Sequence, residues 1–272
     1  MTAKFLTPLL ALLVLIGCGR DTRQRQVLRL ATTTSTRDSG LLDLLIPPFE
    51  KEHDVRIDVI AVGTGKALKL GEAGDVDVVL VHARQAEDAF MKAGYGTRRE
   101  DVMANRFELL GPEDDPAAIR DLGAPEALQQ IAAGGFHFVS RDDDSGTHKR
   151  ELQLWAKGGG KPEWSNYIET GQGMGATLVI ANQMQAYVLS DRGTYLQMSA
   201  KLDLVPLAAP SAEMDNPYGI IVVKGSGQSL AHNKLAHLFV DYMTSPRVQS
   251  SIQGFQIAGE SLFFPLKPTS AE

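Results

Sequence analysis

The sequence predicts an α/β protein built as two lobes, and three observations carry that expectation. From Val27 to Leu110, short apolar runs of β character alternate with runs of helical spacing, the pattern of βαβ units around a mostly parallel sheet. The chain holds more such units than one small sheet uses, and turn chemistry interrupts them at Gly111-Pro-Glu-Asp-Asp-Pro116 and again near Leu204. With 43% hydrophobic residues among 272, there is enough apolar material for one large or two moderate cores.

Taken in order, Met1 to Gly17 carries one charge, Lys4, and an apolar run from Leu9 to Ile16. That run is too short to span a bilayer and reads as an export signal. Leu15-Ile-Gly-Cys18 has the pattern of lipoprotein signal peptides, so Cys18 is expected to become a lipidated first residue, with residues 18–26 as a tether to the membrane. Cys18 is the only cysteine, which excludes an internal disulfide. Loss of residues 1–17 moves the formal charge from -6 to -7, because only Lys4 goes with them. A mildly acidic chain argues against nucleic acid as a partner, and any anion must be held by a local field.

Val27–Leu30 reads as a strand opening into Ala31-Thr-Thr-Thr-Ser-Thr-Arg-Asp-Ser-Gly40, followed by a helix over Leu41–Glu52. Val55–Val62 is a strand, Gly63-Thr-Gly-Lys66 a turn, and Ala67–Gly71 helical. Strands at Val76–Val81 and Phe107–Leu110 flank a helix at Ala86–Ala93. Beyond the Gly111 turn come a helix at Pro125–Ala133, a strand at Phe136–Ser140 and a helix from Thr147 to Ala156. Gly158-Gly-Gly-Lys-Pro162 is irregular, Trp164–Thr170 does not make a convincing buried strand, and the Gly171 turn feeds a helix that reaches Asn182. Ala186–Tyr195 reads as a short buried strand running into a turn, and Leu204–Leu207 and Pro217–Val223 as strands. Leu235, Leu238, Phe239 and Tyr242 give Asn233–Thr244 helical spacing. Residues 27–108 with 216–272 are assigned to lobe 1 and 109–215 to lobe 2, with a ligand cleft between them where strand ends meet helix starts.

Three of these strand-to-helix turns share one chemistry. The first offers Thr33, Thr34 and Ser35, the second Thr64, and the third Arg141, Ser145, Gly146 and Thr147. Hydroxyls and backbone N–H groups at the positive end of a helix, with an arginine beside them, hold a small oxyanion. Threonine in a strand and serine as a cap account for part of the first turn, but the run of adjacent hydroxyl residues that starts at Thr32 exceeds what capping needs. Gly171-Gln-Gly-Met-Gly-Ala176 brings Gly175 and free N–H groups to the same purpose; read as a dinucleotide turn it lacks a preceding strand. Arg141 has two other possible roles, a pair with Asp142, Asp143 or Asp144 on its own loop, or with Asp191 across the cleft. Arg192, also just after a strand, is a further candidate for the ligand shell.

Other chemistries find no pattern. Ile60 and Ala67 stand where a nucleoside-triphosphate loop needs Gly and Ser or Thr. The histidines at 53, 82, 137, 148, 232 and 237 form no metal-ligand spacing. There is no G-x-S-x-G elbow, and Lys149 lies four residues after Ser145, not three. Neither an enzyme nor a cofactor is expected.

At these residues the chain resembles the tungstate-binding periplasmic proteins of bacterial ABC importers, relatives of molybdate- and phosphate-binding proteins. The resemblance rests on Thr32–Asp43, Val62–Leu68, Gly74–His82, Ser140-Arg141 with Asp144–His148, Gly173–Leu178 and Asn216-Pro-Tyr-Gly219, and runs through nearly the whole mature chain. It implies a type II periplasmic-binding fold with two crossovers, a lipid-anchored monomer at the periplasmic or cell surface, no catalysis, and delivery of tungstate to an inner-membrane ABC permease. Two positions depart from the family: Asp142 stands where a glycine is expected and Ala104 where a tyrosine is usual. Tungstate and molybdate are fully deprotonated and need donors alone, whereas hydrogen phosphate also needs an acceptor. Asp142 to Asp144 therefore keep phosphate among the candidates, beside molybdate and a partner-binding sensory lipoprotein of the same fold.

Overall fold

The computed structural model describes residues 25–225 and 230–270. Cys18, the export signal and most of the tether lie outside the described residues. The chain begins with β1 (Gln26–Thr33), α1 (Thr34–Asp38), α2 (Leu41–His53), β2 (Val55–Val62), α3 (Thr64–Ala73), β3 (Val78–Val81) and α4 (Arg84–Lys92). A long strand, β4 (Gly96–Pro112), follows. Then come α5 (Ala124–Ala133), β5 (Phe138–Ser140), α6 (Gly146–Lys157), β6 (Tyr167–Glu169), α7 (Met174–Met184), β7 (Tyr187–Asp191), α8 (Arg192–Met198) and β8 (Leu204–Pro206). The chain returns through β9 (Asp215–Val223), α9 (Leu230–Met243) and α10 (Pro246–Gln253) to the short strands β10 (Gln256–Ile257), β11 (Glu260–Ser261) and β12 (Phe264–Pro265).

The main sheet has the order β2-β1-β3-β9-β4-β7-β5-β6. Parallel pairs sit at both ends, β1 with β2 and β3, and β5 with β6 and β7. Antiparallel β9 and β4 lie between them. Strand β4 belongs to both halves: it pairs with β9 from Gly96 to Arg106 and with β7 from Phe107 to Leu110.

Alternation along the strands fills the two faces of each half-sheet. In the first half, Leu28, Leu30, Val78, Leu80, Ile220 and Val222 pack with α2, α9 and α10, where Phe49 meets Phe239 edge-on at 5.0 Å. Their neighbours Ala31, Val79, Val81, Ile221 and Val223 pack with α3 and α4 on the other face. The second half repeats the arrangement, with Phe107, Leu109, Phe138 and Tyr187 on one face and Leu110, Val139 and Val188 on the other. Leu196 of α8 crosses over and is buried in the core of the first half.

Four segments differ from the sequence reading. Trp164–Thr170 does contain a strand, β6; as an edge strand it is partly exposed and lacks a continuous apolar run. After β7 the chain enters a helix rather than a turn, because the Asp191 carboxylate accepts from Thr194 N and caps α8. Gly96–Arg106 hides a strand behind charges that are paired across neighbours, Arg98 with Glu100 and Asp241, and Lys267 with Glu100. Helix α10 follows Ser245-Pro246, a capping serine and a first-turn proline.

Candidate functional site

The parallel strands of the two halves run in opposite senses, so the carboxyl ends of β1 and β5 face each other across the middle of β4. Thr33 ends β1 and caps α1, its Oγ1 accepting from Thr36 N at 3.2 Å and lying 2.6 Å from Thr36 Oγ1 and 3.1 Å from Ser35 Oγ. Thr33 is buried, while Thr34 and Ser35 are exposed and line a cavity of about 210 Å³ with Asn105, Asp191, Thr194, Gln197 and Tyr218. Thr64 opens α3, whose N-cap Gly63 supplies no side-chain acceptor for the first-turn N–H groups. A Cβ at Gly63 or Gly65 would meet nothing within 4 Å, so the backbone there is open to a ligand.

The loop after β5 is more constrained. Arg141 Nη2 donates to Asp143 Oδ2 at 2.5 Å, and the other Asp143 oxygen accepts from Ser145 N at 3.2 Å. Burial works to raise the Asp143 pKa, but Ser145 and Arg141 outweigh it and hold the carboxyl below its ordinary range. Arg141 Nε is buried and has no hydrogen-bond partner. Ser145 caps α6 by accepting from His148 N at 3.3 Å, and Thr147 is buried in the first turn behind it. His148 Nδ1 in turn accepts from Asp144 N at 3.2 Å. Asp142 and Asp144 have φ of 44° and 56°, a left-handed backbone that favours glycine, which is why a family glycine suits position 142. The other departure, Ala104, is buried on β4 and lies opposite Phe264 of β12.

Beneath this loop the buried Glu151 carboxylate accepts from Ser140 Oγ at 2.7 Å, Tyr167 OH at 2.6 Å and Trp155 Nε1 at 3.3 Å. Thr170 Oγ1 reaches Ser140 O and lies 3.0 Å from Thr177 Oγ1, tying the Arg141 loop to the glycine turn that carries Gly175. Burial raises the Glu151 pKa against these three donors.

Two expectations need correction. Arg141 pairs with Asp143 on its own loop, not with Asp191, whose carboxylate is taken by Thr194 N and Oγ1. Arg192 is engaged away from the donor turns: its guanidinium bonds Glu108 at 2.7 Å, Glu260 at 3.1 Å and Ser261 O at 3.0 Å. It lines a separate cavity of about 390 Å³ with Arg106 and Arg120 and ties α8 to β4 and the C-terminal hairpin. The two lobes approach each other where Gly146 faces His82, a Cβ on the glycine falling 3.9 Å from His82 Cε1, and where Gln197 Nε2 donates to Asp38 O at 3.2 Å. Asn105, Gln197 and Tyr218 escaped the sequence reading as lining residues, although Tyr218 stands inside the Asn216-Pro-Tyr-Gly219 motif noted above.

His82 lies at the end of β3, its ring 4.6 Å from that of Tyr218 and its Nδ1 3.2 Å from Asn216 Oδ1. Burial lowers its pKa, outweighing the opposite pull of Asn216 and Asp191. The unfolded chain therefore takes up this proton first, and the contribution of His82 to stability falls as pH drops below 6.5. The slope is limited to about 1.4 kcal/mol per pH unit. Denaturant unfolding between about pH 7.5 and 5 should show the stability gap between parent and His82→Gln closing with acid; a constant gap contradicts this.

A mixed sheet in two halves, whose donor turns face each other from either side of the β4–β9 crossing, defines a two-lobed solute-binding protein. Residues 20–247 match the PBP superfamily domain. The chain is 42% identical over 267 residues to the tungstate-binding protein TupA of Peptoclostridium acidaminophilum, covering 93% of each. Among solved structures, the tungstate-binding protein TupA of Desulfovibrio alaskensis G20 superposes with a TM-score of 0.83 at 42% identity, over 89% of this chain and 99% of that one. The tungstate ABC transporter structure from Geobacter sulfurreducens gives 0.72 at 50% identity, over 84% and 98%. The chain belongs to the PBP superfamily, in the family of the TupA tungstate-binding proteins.

Proposed function

We propose that this protein captures tungstate between the hydroxyl turn of Thr33, Thr34 and Ser35, the Thr64 turn, and the loop of Arg141, Ser145, Gly146 and Thr147, and delivers it to an ABC permease. The observation that carries the reading is Arg141 Nε, a buried donor without a partner, on the loop that also brings the Ser145 and Thr147 hydroxyls and the first N–H groups of α6. A desolvated dianion satisfies such a donor; nothing else in its loop does. Relatives named for tungstate at 42% identity support the choice of anion. Gly175 stands at the mouth of α7 as a further backbone contact; Arg192 acts as a strut and not as a ligand.

The reading entails binding without catalysis, a monomer acting outside the cytoplasm, and a cleft that closes on the anion as the lobes rotate about β4 and β9. Among the described residues no helix is long and apolar enough to cross a membrane, and attachment is assigned to lipid on Cys18. Cys18→Ala should release the protein from membranes into the soluble fraction with its thermal unfolding unchanged; continued membrane association contradicts the anchor. Calorimetry against tungstate, molybdate, sulfate and phosphate tests the ligand: tungstate is expected to bind tightest, and a preference for phosphate overturns the assignment.

A further inference from the structure

The two lobes meet beside the donor turns, and the parts that meet are rigid. On one side His82 ends β3, a strand held between β1 and β9. It presents the far edge of its ring, with Cε1 3.9 Å from a Cβ placed on Gly146. Rotation of the ring is blocked, because Nδ1 lies 3.2 Å from Asn216 Oδ1 and the ring packs against that of Tyr218 with centroids 4.6 Å apart. Both supports are buried and fixed in turn: Asn216 Nδ2 donates to Asn105 Oδ1 at 2.8 Å, and the Tyr218 ring meets Phe263 edge-on at 5.6 Å. A push on Cε1 therefore runs through the ring into a close-packed sheet that hardly compresses.

On the other side Gly146 opens α6, a helix anchored by buried Leu154 and Trp155. With no side chain at this position the backbone itself faces the ring, and a methyl group there would already be in ordinary contact. The travel left to the closing lobes is thus the width of the missing methyl group. A second contact, from Gln197 Nε2 to Asp38 O at 3.2 Å, holds the lobes together beside the cavity lined by Thr34 and Ser35.

We propose that His82 and Gly146 form a stop that sets the narrowest width of the anion cleft, and that this width rejects tetrahedral dianions smaller than tungstate. The inference rests on the tungstate reading above and extends it from donor chemistry to donor spacing. Sulfate and tungstate are both tetrahedral, doubly charged and free of protons at neutral pH, so a set of donors treats them alike; sulfate is the smaller. Between walls that approach no further, sulfate bonds well to the Ser35 turn or to the Arg141 loop but not to both, because a hydrogen bond stretched beyond about 3.2 Å is weak. A contact that stops closure on the wrong anion is a repulsive element, which discriminates where attraction does not. His82 acts here without touching the anion, as a positioning residue.

The test is calorimetry of the full chain near pH 7.5 with sodium tungstate and with sodium sulfate, read as the ratio of the two dissociation constants. His82→Asn keeps an amide where Nδ1 stands, able to bond Asn216, and deletes Cε1. His82→Phe gives up that bond and keeps a ring edge against Gly146. The preference for tungstate over sulfate is expected to fall at least about tenfold in His82→Asn and by no more than about threefold in His82→Phe. A purely structural role predicts the reverse order, since asparagine preserves the hydrogen bond and phenylalanine leaves Asn216 without it. That reverse order, or an unchanged ratio in folded His82→Asn, overturns the inference while leaving tungstate capture intact. If His82→Asn fails to fold, Gly146→Ala takes its place: its methyl meets the ring sooner, so sulfate should lose more affinity than tungstate, and equal losses overturn the inference. A parent that binds no tungstate overturns both readings.

Discussion

Arg141→Ala is expected to weaken tungstate binding by roughly tenfold to a few hundredfold, since it removes charge-assisted hydrogen bonds of ~1.5–3 kcal/mol each. The guanidinium stands on the donor loop in a partly buried position, with Nη2 held by Asp143 and Nε unpartnered. Arg141→Lys should recover only part of the loss, because an ammonium has no planar fork to bond Asp143 and an anion at once. Thr147→Ala should cost about 1 kcal/mol, the value of a neutral donor. Titration calorimetry beside thermal unfolding separates the outcomes. If Arg141→Ala binds tungstate as tightly as the parent while its melting temperature drops, the residue is a loop brace for Asp143 and the site lies elsewhere.

The largest effect on stability is expected at Arg99→Ala. Glu87 of α4 is fully buried, accepts from Arg99 Nε at 2.8 Å and from Ala83 N at 2.8 Å, has Arg99 Nη2 beside it at 2.7 Å as an ion pair, and lies against Gly219 of β9. A Cβ at Gly219 would sit 2.2 Å from Glu87 Oε2 and 2.7 Å from Arg99 Nη2, so the ion pair fills the space the glycine leaves. Burial raises the Glu87 pKa and Arg99 pulls it back. Truncating the arginine strands a carboxylate in the core, at a cost of about 3–5 kcal/mol. Glu87→Gln with Arg99 retained should cost less. Denaturant midpoints at constant slope check this; a change in Arg99→Ala below about 1 kcal/mol, the range of exposed pairs, contradicts it.

Much of this architecture is legible in the sequence because its signals are local. Val78-Val-Leu-Val81 is apolar on both faces and becomes a strand buried on both faces. Thr33, Ser145 and Gly173 each stand directly before the helix they start, so each turn can be recognised alone. What escaped depends on residues distant in sequence. Arg192 follows β7 much as Arg141 follows β5, and only Glu108 and Glu260, brought in by β4 and the C-terminal hairpin, make it a strut. Asn105 and Tyr218 converge on the hydroxyl turn through the pairing of β4 with β9, a register that hydrophobic periodicity does not set. The charged strand Gly96–Arg106 was hidden for the same reason, since its partners Glu87, Asp241 and Lys267 come from elsewhere.

The central claim is that one tungstate ion sits between the turn of Ser35 and the loop of Arg141. The direct measurement is a crystal structure of the protein grown with sodium tungstate, with data collected at the tungsten absorption edge to locate the metal by anomalous scattering. The account predicts a single strong peak within hydrogen-bonding reach of both Ser35 and Arg141. A peak beside Arg106, Arg120 and Arg192 instead, or no ordered tungsten at saturating concentration, contradicts it.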